Sequence, residues 1–339
     1  MPKFSFSGDF ELEVGETLTG FDLSYQTFGK LNIDKSNVVW IFHALTANCN
    51  PLDWWSGLVG RNKFITPDNY FIVCVNMPGS FYGSINPLSI NNKTGKPFYH
   101  QFPLITIRDM ANMYELLRTH LGIDQIYMGI GGSMGGMQLL EWSIINPKLF
   151  KQVVLIATNA KHSSWGIAFN ATQRMAIEAD VTWQQQLPDA GKNGLKAARA
   201  IAMLSYRNYY PFEYSQRETD DNKLIGFKSE SYQYYQGQKL ADRFNAFCYF
   251  ALSRSMDSHN VGRGRTSTEK ALQKIKSKAL VIGIESDLLF PIEEQIYLSQ
   301  YIPNAVFKLI DSPYGHDGFL IEFEQLEKII DEFLSNNKL

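Results

Sequence analysis

Gly131-Gly132-Ser133-Met134-Gly135 sets a serine among small residues, directly after the apolar run Ile126 to Ile130. A helical pattern through Gln138, Leu139, Leu140 and Trp142 follows it. Strand, glycine-flanked serine and helix make the context of a nucleophile elbow, a turn so tight that the serine's neighbours must be small. Such a turn holds the hydroxyl clear of the sheet, at a helix N-terminus that favours developing negative charge. Alone, the pentapeptide reads more readily as a plain Gly-rich turn, so its chemistry depends on partners.

A serine hydroxyl is a weak nucleophile until a base takes its proton, and that base needs an orienting acid. Sites of the α/β-hydrolase type carry the three in the order serine, acid, histidine, at the ends of late strands. Here the apolar run Lys278 to Ile284 leads into Glu285-Ser286-Asp287, and Ala305 to Ile310 leads into Asp311-Ser312-Pro313-Tyr314-Gly315-His316. Ser133, Asp287 and His316 are therefore the candidate catalytic residues, with loop-acid and helix-cap roles as the plainer readings of Asp287 and His316. Asp257-Ser258-His259 is a rival pair without a preceding strand. An oxyanion hole needs the amide after the nucleophile, Met134, and one from the loop after an early strand. Val38 to Phe42 is that strand; Leu45 is the candidate donor and Thr46 the runner-up. His43 reads as a structural residue at the strand end rather than a second base.

These residues need a sheet to stand on. Phe21 to Thr27, Val38 to Phe42, Tyr70 to Asn76, Ile126 to Ile130 and Val153 to Ala157 read as strands. Thr106 to Leu121 has apolar residues at helical spacing. Alternation of strands and helices predicts a mostly parallel α/β sheet. Between about 161 and 275 strand patterns vanish, and helical stretches such as Leu195 to Tyr206 and Leu240 to Met256 take over. Strands return at Lys278. The expectation is one α/β-hydrolase core, residues 1–160 and 276–339, interrupted by a helical lid at 161–275.

With 339 residues, 45% hydrophobic and 19% charged, the chain can bury a full core. A net charge of −2 without basic blocks argues against nucleic acid as a partner. No apolar run approaches the roughly 20 residues of a membrane span. Met1 to Gly15 lacks the apolar stretch of a signal peptide. Cys49, Cys74 and Cys248 lack metal-like spacing, so no metal site is expected. Free thiols and no signal peptide point to the cytoplasm.

Beyond the elbow, His43-Ala44-Leu45-Thr46, Phe102 to Asp109, Gly131 to Gln138, Asp257 to Arg265, Ser286 to Phe290 and Asp311 to Leu320 stand together. With these the chain resembles, nearly end to end, the homoserine O-acetyltransferase family of α/β-hydrolase-fold acyltransferases of methionine biosynthesis. The resemblance implies nucleophile Ser133, acid Asp287 and base His316. It also implies acceptor binding by Arg199, within Ala197-Ala198-Arg199 seven residues before Tyr206, and by Asp317. An arginine can grip an amino-acid carboxylate bidentately and an aspartate can take its ammonium. Arg174 and Arg243 are other lid arginines that could serve. Tyr206 and Thr46 complete the expected substrate contacts. Implied further are acetyl-CoA as acyl donor, L-homoserine as acceptor, an acyl-serine ping-pong mechanism, no permanently bound cofactor, and a homodimer formed through the lid. Asn76 to Pro87 and Asn48-Cys49-Asn50-Pro51 depart from the family's usual pattern near the expected donor site. Succinyl-CoA as donor and serine as acceptor are the alternatives within the fold, and an esterase or thioesterase is the alternative from another class.

Overall fold

The computed structural model describes residues 1–336. Eight strands form one sheet: β1 (Lys3–Glu11), β2 (Thr17–Phe28), β3 (Val38–Phe42), β4 (Phe71–Val75), β5 (Ile126–Gly132), β6 (Phe150–Ile156), β7 (Lys278–Ile284) and β8 (Ala305–Ile310). Their order is β1-β2-β4-β3-β5-β6-β7-β8. β1 and β2 pair antiparallel, as do β2 and β4. From β4 onward every pairing is parallel. A parallel sheet is covered on both faces, which is why β3 reads as the unbroken apolar run VVWIF and is buried at all five positions. Alternation still sorts its side chains: Val38, Trp40 and Phe42 enter one core, Val39 and Ile41 the other. Each such fully buried side chain contributes roughly 1.5–3 kcal/mol.

β1 was not legible as a strand. It is an edge strand whose Phe4, Phe6 and Phe10 are only partly buried, and a bulge between Phe6 and Asp9 shifts its register against β2. Helix α1 (Ile107–His120) fills the side of the sheet that holds Trp40. Its start is a capping box: Thr106 Oγ1 accepts from the Asp109 amide, and Asp109 Oδ2 accepts from the Thr106 amide. Helix α2 (Met134–Ile145) follows β5 and is buried along most of its length.

Between β6 and β7 run α3 (Ser164–Glu178), α4 (Lys192–Tyr206), α5 (Tyr209–Gln216), α6 (Lys228–Ala241) and α7 (Ala246–Asp257). The helix expected over Leu240 to Met256 is two helices. The chain turns at 242–245, where Asn245 accepts from the Phe247 and Cys248 amides and starts α7 anew. The segments entering and leaving this helical stretch pair as a short antiparallel neck. Lys161 bridges Asn260, the His162 amide donates to His259 O at 3.0 Å, and the Val261 amide donates to Ala160 O at 2.9 Å.

Just past the neck, a half-buried ion network anchors the chain. Glu141 on α2, 2% exposed, accepts from Arg108 Nε and from Arg265, each at 2.6 Å. Glu13 takes Arg108 at 2.6 Å and Arg263 at 2.7 Å. After β7 come α8 (Ile292–Tyr301), a 3₁₀ turn at Gly315–Leu320 following β8, and α9 (Phe323–Ser335).

Candidate active site

The turn from β5 into α2 holds Ser133 at φ 55°, ψ −128°, a conformation non-glycine residues rarely adopt. The glycines two residues to either side have no room for side chains. A Cβ on Gly135 would lie 2.2 Å from Phe42 O, and one on Gly131 would lie 2.7 Å from the Gly135 backbone. Two bonds hold the strained residue: its amide donates to Ile156 O at 2.9 Å, and its carbonyl accepts from Thr158 Oγ1 at 2.9 Å.

Asp287 follows β7, and His316 lies in the 3₁₀ turn after β8. Asp287 Oδ1 accepts the Leu289 and Phe290 amides at 2.8 and 2.9 Å. Its Oδ2 accepts from His316 Nδ1 at 2.6 Å. With the proton on Nδ1, Nε2 is left to accept, and Ser133 Oγ donates to it at 2.9 Å. All three residues are buried. The ring is held flat by Phe290, stacked at 5.0 Å, and flanked by Phe319 at 5.5 Å. Burial works against charge on His316. The Asp287 carboxylate, its hydrogen bond and Asp317 outweigh that and hold its pKa above the ordinary 6.5.

Ser133 and His316 open onto a cavity of about 510 Å³ whose wall includes Leu45, Thr46, Arg199, Tyr206 and Asp317. Arg199 and Tyr206 come from α4. The Arg199 guanidinium sits over the Tyr206 ring, 5.4 Å from its centroid, and makes no ion pair or hydrogen bond among the described residues. Arg243, from the turn before α7, reaches the same cavity and donates to Thr46 O and Tyr82 Oη, both at 2.6 Å. Arg174 is elsewhere, paired with Asp257 at 2.7 Å. The rival His259 is buried, gives Nε2 to Asn159 O, and is pushed by burial down to about 4.

His43 has a definite structural task. Its Nε2 accepts the Met77 amide at 3.1 Å, so Nδ1 carries the proton and donates to Ala44 O at 2.8 Å. Ala44 O also takes the Ala47 amide. In a planar trans peptide the N–H points opposite the C=O, so fixing Ala44 O fixes the direction of the Leu45 amide. Burial pushes the His43 pKa to about 4, which keeps the ring neutral.

Asp53 and Trp54, which sequence reasoning missed, also face the cavity, as does Tyr82 from the stretch expected near the donor site. Arg207, one residue past α4, places Nε 3.2 Å from Asp317 Oδ2. Being next to Tyr206 was its one sequence signal. The two segments that depart from the family pattern meet here: the Cys49 amide donates to Asn76 Oδ1 at 2.8 Å, and Asn76 Nδ2 to Tyr82 O at 2.6 Å. Among the described residues there is no group of His, Cys, Asp and Glu able to hold a metal ion, and no helix long and apolar enough to cross a membrane.

A model of the alpha/beta hydrolase fold family matches residues 37–323, which defines the class of this protein. A homoserine O-acetyltransferase of Cyclobacterium marinum is 52% identical over 327 residues, covering 96% of this chain and 93% of its own. The chain belongs to the homoserine O-acetyltransferase family and is an acyltransferase. The solved homoserine O-acetyltransferase of Staphylococcus aureus superposes with a TM-score of 0.81 at 30% identity, covering 98% of this chain and 94% of that one. Esterase E22 superposes with a TM-score of 0.86 at 22% identity, covering 98% and 99%. At that identity the likeness shows a shared fold alone.

Proposed function

We propose that this protein moves the acetyl group of acetyl-CoA to the side-chain hydroxyl of L-homoserine, by way of an acyl-Ser133 intermediate, giving O-acetyl-L-homoserine for methionine biosynthesis. The observation that carries the reading is the content of one cavity. A hydrogen-bonded Asp287–His316–Ser133 chain opens beside an uncommitted guanidinium, Arg199, and a carboxylate, Asp317, that accepts no hydrogen bond among the described residues. Attack on a thioester needs the first set of groups. Only an acceptor bearing both a carboxylate and an ammonium needs the second.

His316 Nε2 takes the Ser133 proton as Oγ attacks the thioester carbonyl. The resulting oxyanion is held by the Leu45 and Met134 amides, at roughly 3–4 kcal/mol per donor. Collapse expels CoA, which leaves with the proton from His316, and acetyl-Ser133 remains. Homoserine then enters with its carboxylate on Arg199 and its ammonium on Asp317, and Tyr206 and Thr46 line the site. His316 deprotonates the homoserine hydroxyl, which attacks the acyl carbon. The returning proton restores Ser133. Helices α3 to α7 act as a lid that keeps water from the acyl-enzyme. The protein works in the cytoplasm as a homodimer joined through that lid.

The test follows CoA release from acetyl-CoA or succinyl-CoA, with and without L-homoserine or L-serine, together with the intact mass. Homoserine-dependent release and a gain of about 42 Da on Ser133 are expected. Faster release from succinyl-CoA or with serine changes the donor or acceptor. Equal release without any amino acid sinks the reading and makes the protein a hydrolase.

A further inference from the structure

Asp317 is subject to opposing influences. Burial and the nearby Asp287 carboxylate both favour its protonated form, and together they hold its pKa above the ordinary carboxylate value despite the cations around it. A neutral carboxyl group could not pair with an ammonium. The charged groups that face it are Arg199 midway along α4, Arg207 just past its end, His316 next to it in the chain, and Asp287 across the site. In the proposed reaction Arg199 is committed to the acceptor's carboxylate, and His316 is neutral whenever it acts as a base. Arg207 is the cation left to Asp317.

Its seating is specific. The backbone of Tyr206, Arg207 and Asn208 lies directly on the loop that carries the base. A Cβ on Gly315 would lie 3.0 Å from Tyr206 O, 3.2 Å from Arg207 C and 3.2 Å from Asn208 N, and Gly315 itself sits at φ +63°. The Gly315 amide donates to Ser286 Oγ at 3.0 Å, which joins the same loop to the one bearing Asp287. Arg207 Nε is 3.2 Å from Asp317 Oδ2 but too poorly aligned to make a hydrogen bond, and it has no other acceptor among the described residues. The pair is thus a charge contact that leaves the carboxylate's acceptor sites open toward the cavity.

We infer that Arg207 is a positioning residue for the acceptor half of the reaction, holding Asp317 as an anion at the cavity wall for the acceptor's ammonium. The inference rests on the reading given above and deepens it, since it makes recognition of the amino group depend on a residue that need not touch the substrate.

Arg207→Gln and Arg207→Lys, each in the full-length protein, test it. The first readout is the acyl-enzyme burst from p-nitrophenyl acetate, with no amino acid present, across pH. Loss of the cation favours protonation of the coupled Asp317–His316 pair, so in Arg207→Gln the acid limb moves up by about half to one pH unit. Its high-pH plateau stays near wild type, and Arg207→Lys keeps the wild-type limb. The second readout is transfer: in Arg207→Gln, KM for L-homoserine rises roughly tenfold while KM for acetyl-CoA holds, and lysine restores much of the loss. An unmoved limb, or equal damage to both half-reactions, overturns the inference. Wild-type protein indifferent to homoserine overturns the acceptor assignment instead, and the limb still decides whether Arg207 holds Asp317 ionised.

Discussion

Ser133 is both the proposed nucleophile and a strained residue, and the two roles can be separated. Ser133→Ala and Ser133→Gly should both lose the acyl adduct and more than about a thousandfold of the transfer rate. Glycine tolerates a positive φ that alanine resists, so Ser133→Gly should be the more stable variant by about 1 kcal/mol, read from denaturant midpoints. Equal midpoints would show that the surroundings impose no strain. The pH dependence follows from His316. Its folded pKa is raised, so the neutral, proton-accepting form dominates only above that value. Acylation should therefore climb along a limb centred above 6.5, and a limb below 6.5 contradicts the site geometry. For stability the sign is opposite. The His316 contribution is fully present below its unfolded pKa and lost as pH rises through the folded one. Glu294, pushed by burial up to about 7, titrates in the same window, and Glu294→Gln should leave the limb in place. Ser133, Asp287 and His316 were legible because each follows an apolar run at a strand end. The partners of Arg207 and His43 were not. Asp317, Ala44 and Met77 meet them only once the loops have folded.

Among the elements, α2 is held at two places along its length. Its N-terminus is set by glycines packed against β3, and its far side by Glu141 gripping Arg108 and Arg265. Removing one member of a buried ion pair leaves uncompensated charge behind. Glu141→Ala should destabilise the protein by roughly 3–5 kcal/mol, measured by reversible chemical unfolding. Glu213→Ala removes a carboxylate from an ion pair whose side chains are 70% and 40% exposed, and it should change little. Comparable losses for both would mean that the network contributes no more than surface pairs do. The sequence of the stretch over Leu240 to Met256 concealed its break for a related reason. Its apolar spacing continues through the turn, and the cap depends on how one side chain, Asn245, happens to fold back.

For the whole molecule, the sheet was readable from its centre outward. β3 to β7 are largely buried apolar runs, whereas β1 at the edge alternates exposed and half-buried positions and lacks the unbroken apolar run by which the inner strands were read. The helical stretch exposes Tyr209, Tyr210, Tyr214, Leu224, Ile225 and Tyr234, which suits the proposed lid-mediated dimer. Sedimentation should give twice the 38.7 kDa chain mass, and Tyr214→Asp with Leu224→Asp should shift it toward the monomer. A monomer at every concentration rejects the dimer. The antiparallel neck at Ala160–His162 and His259–Val261 has a consequence of another kind. Because the chain leaves the core and returns to it side by side, everything between can be lengthened, trimmed or exchanged without rethreading a single strand. A lineage built on this plan can revise what its site admits while inheriting its nucleophile unchanged, and a designer can graft a foreign roof at the same two cuts.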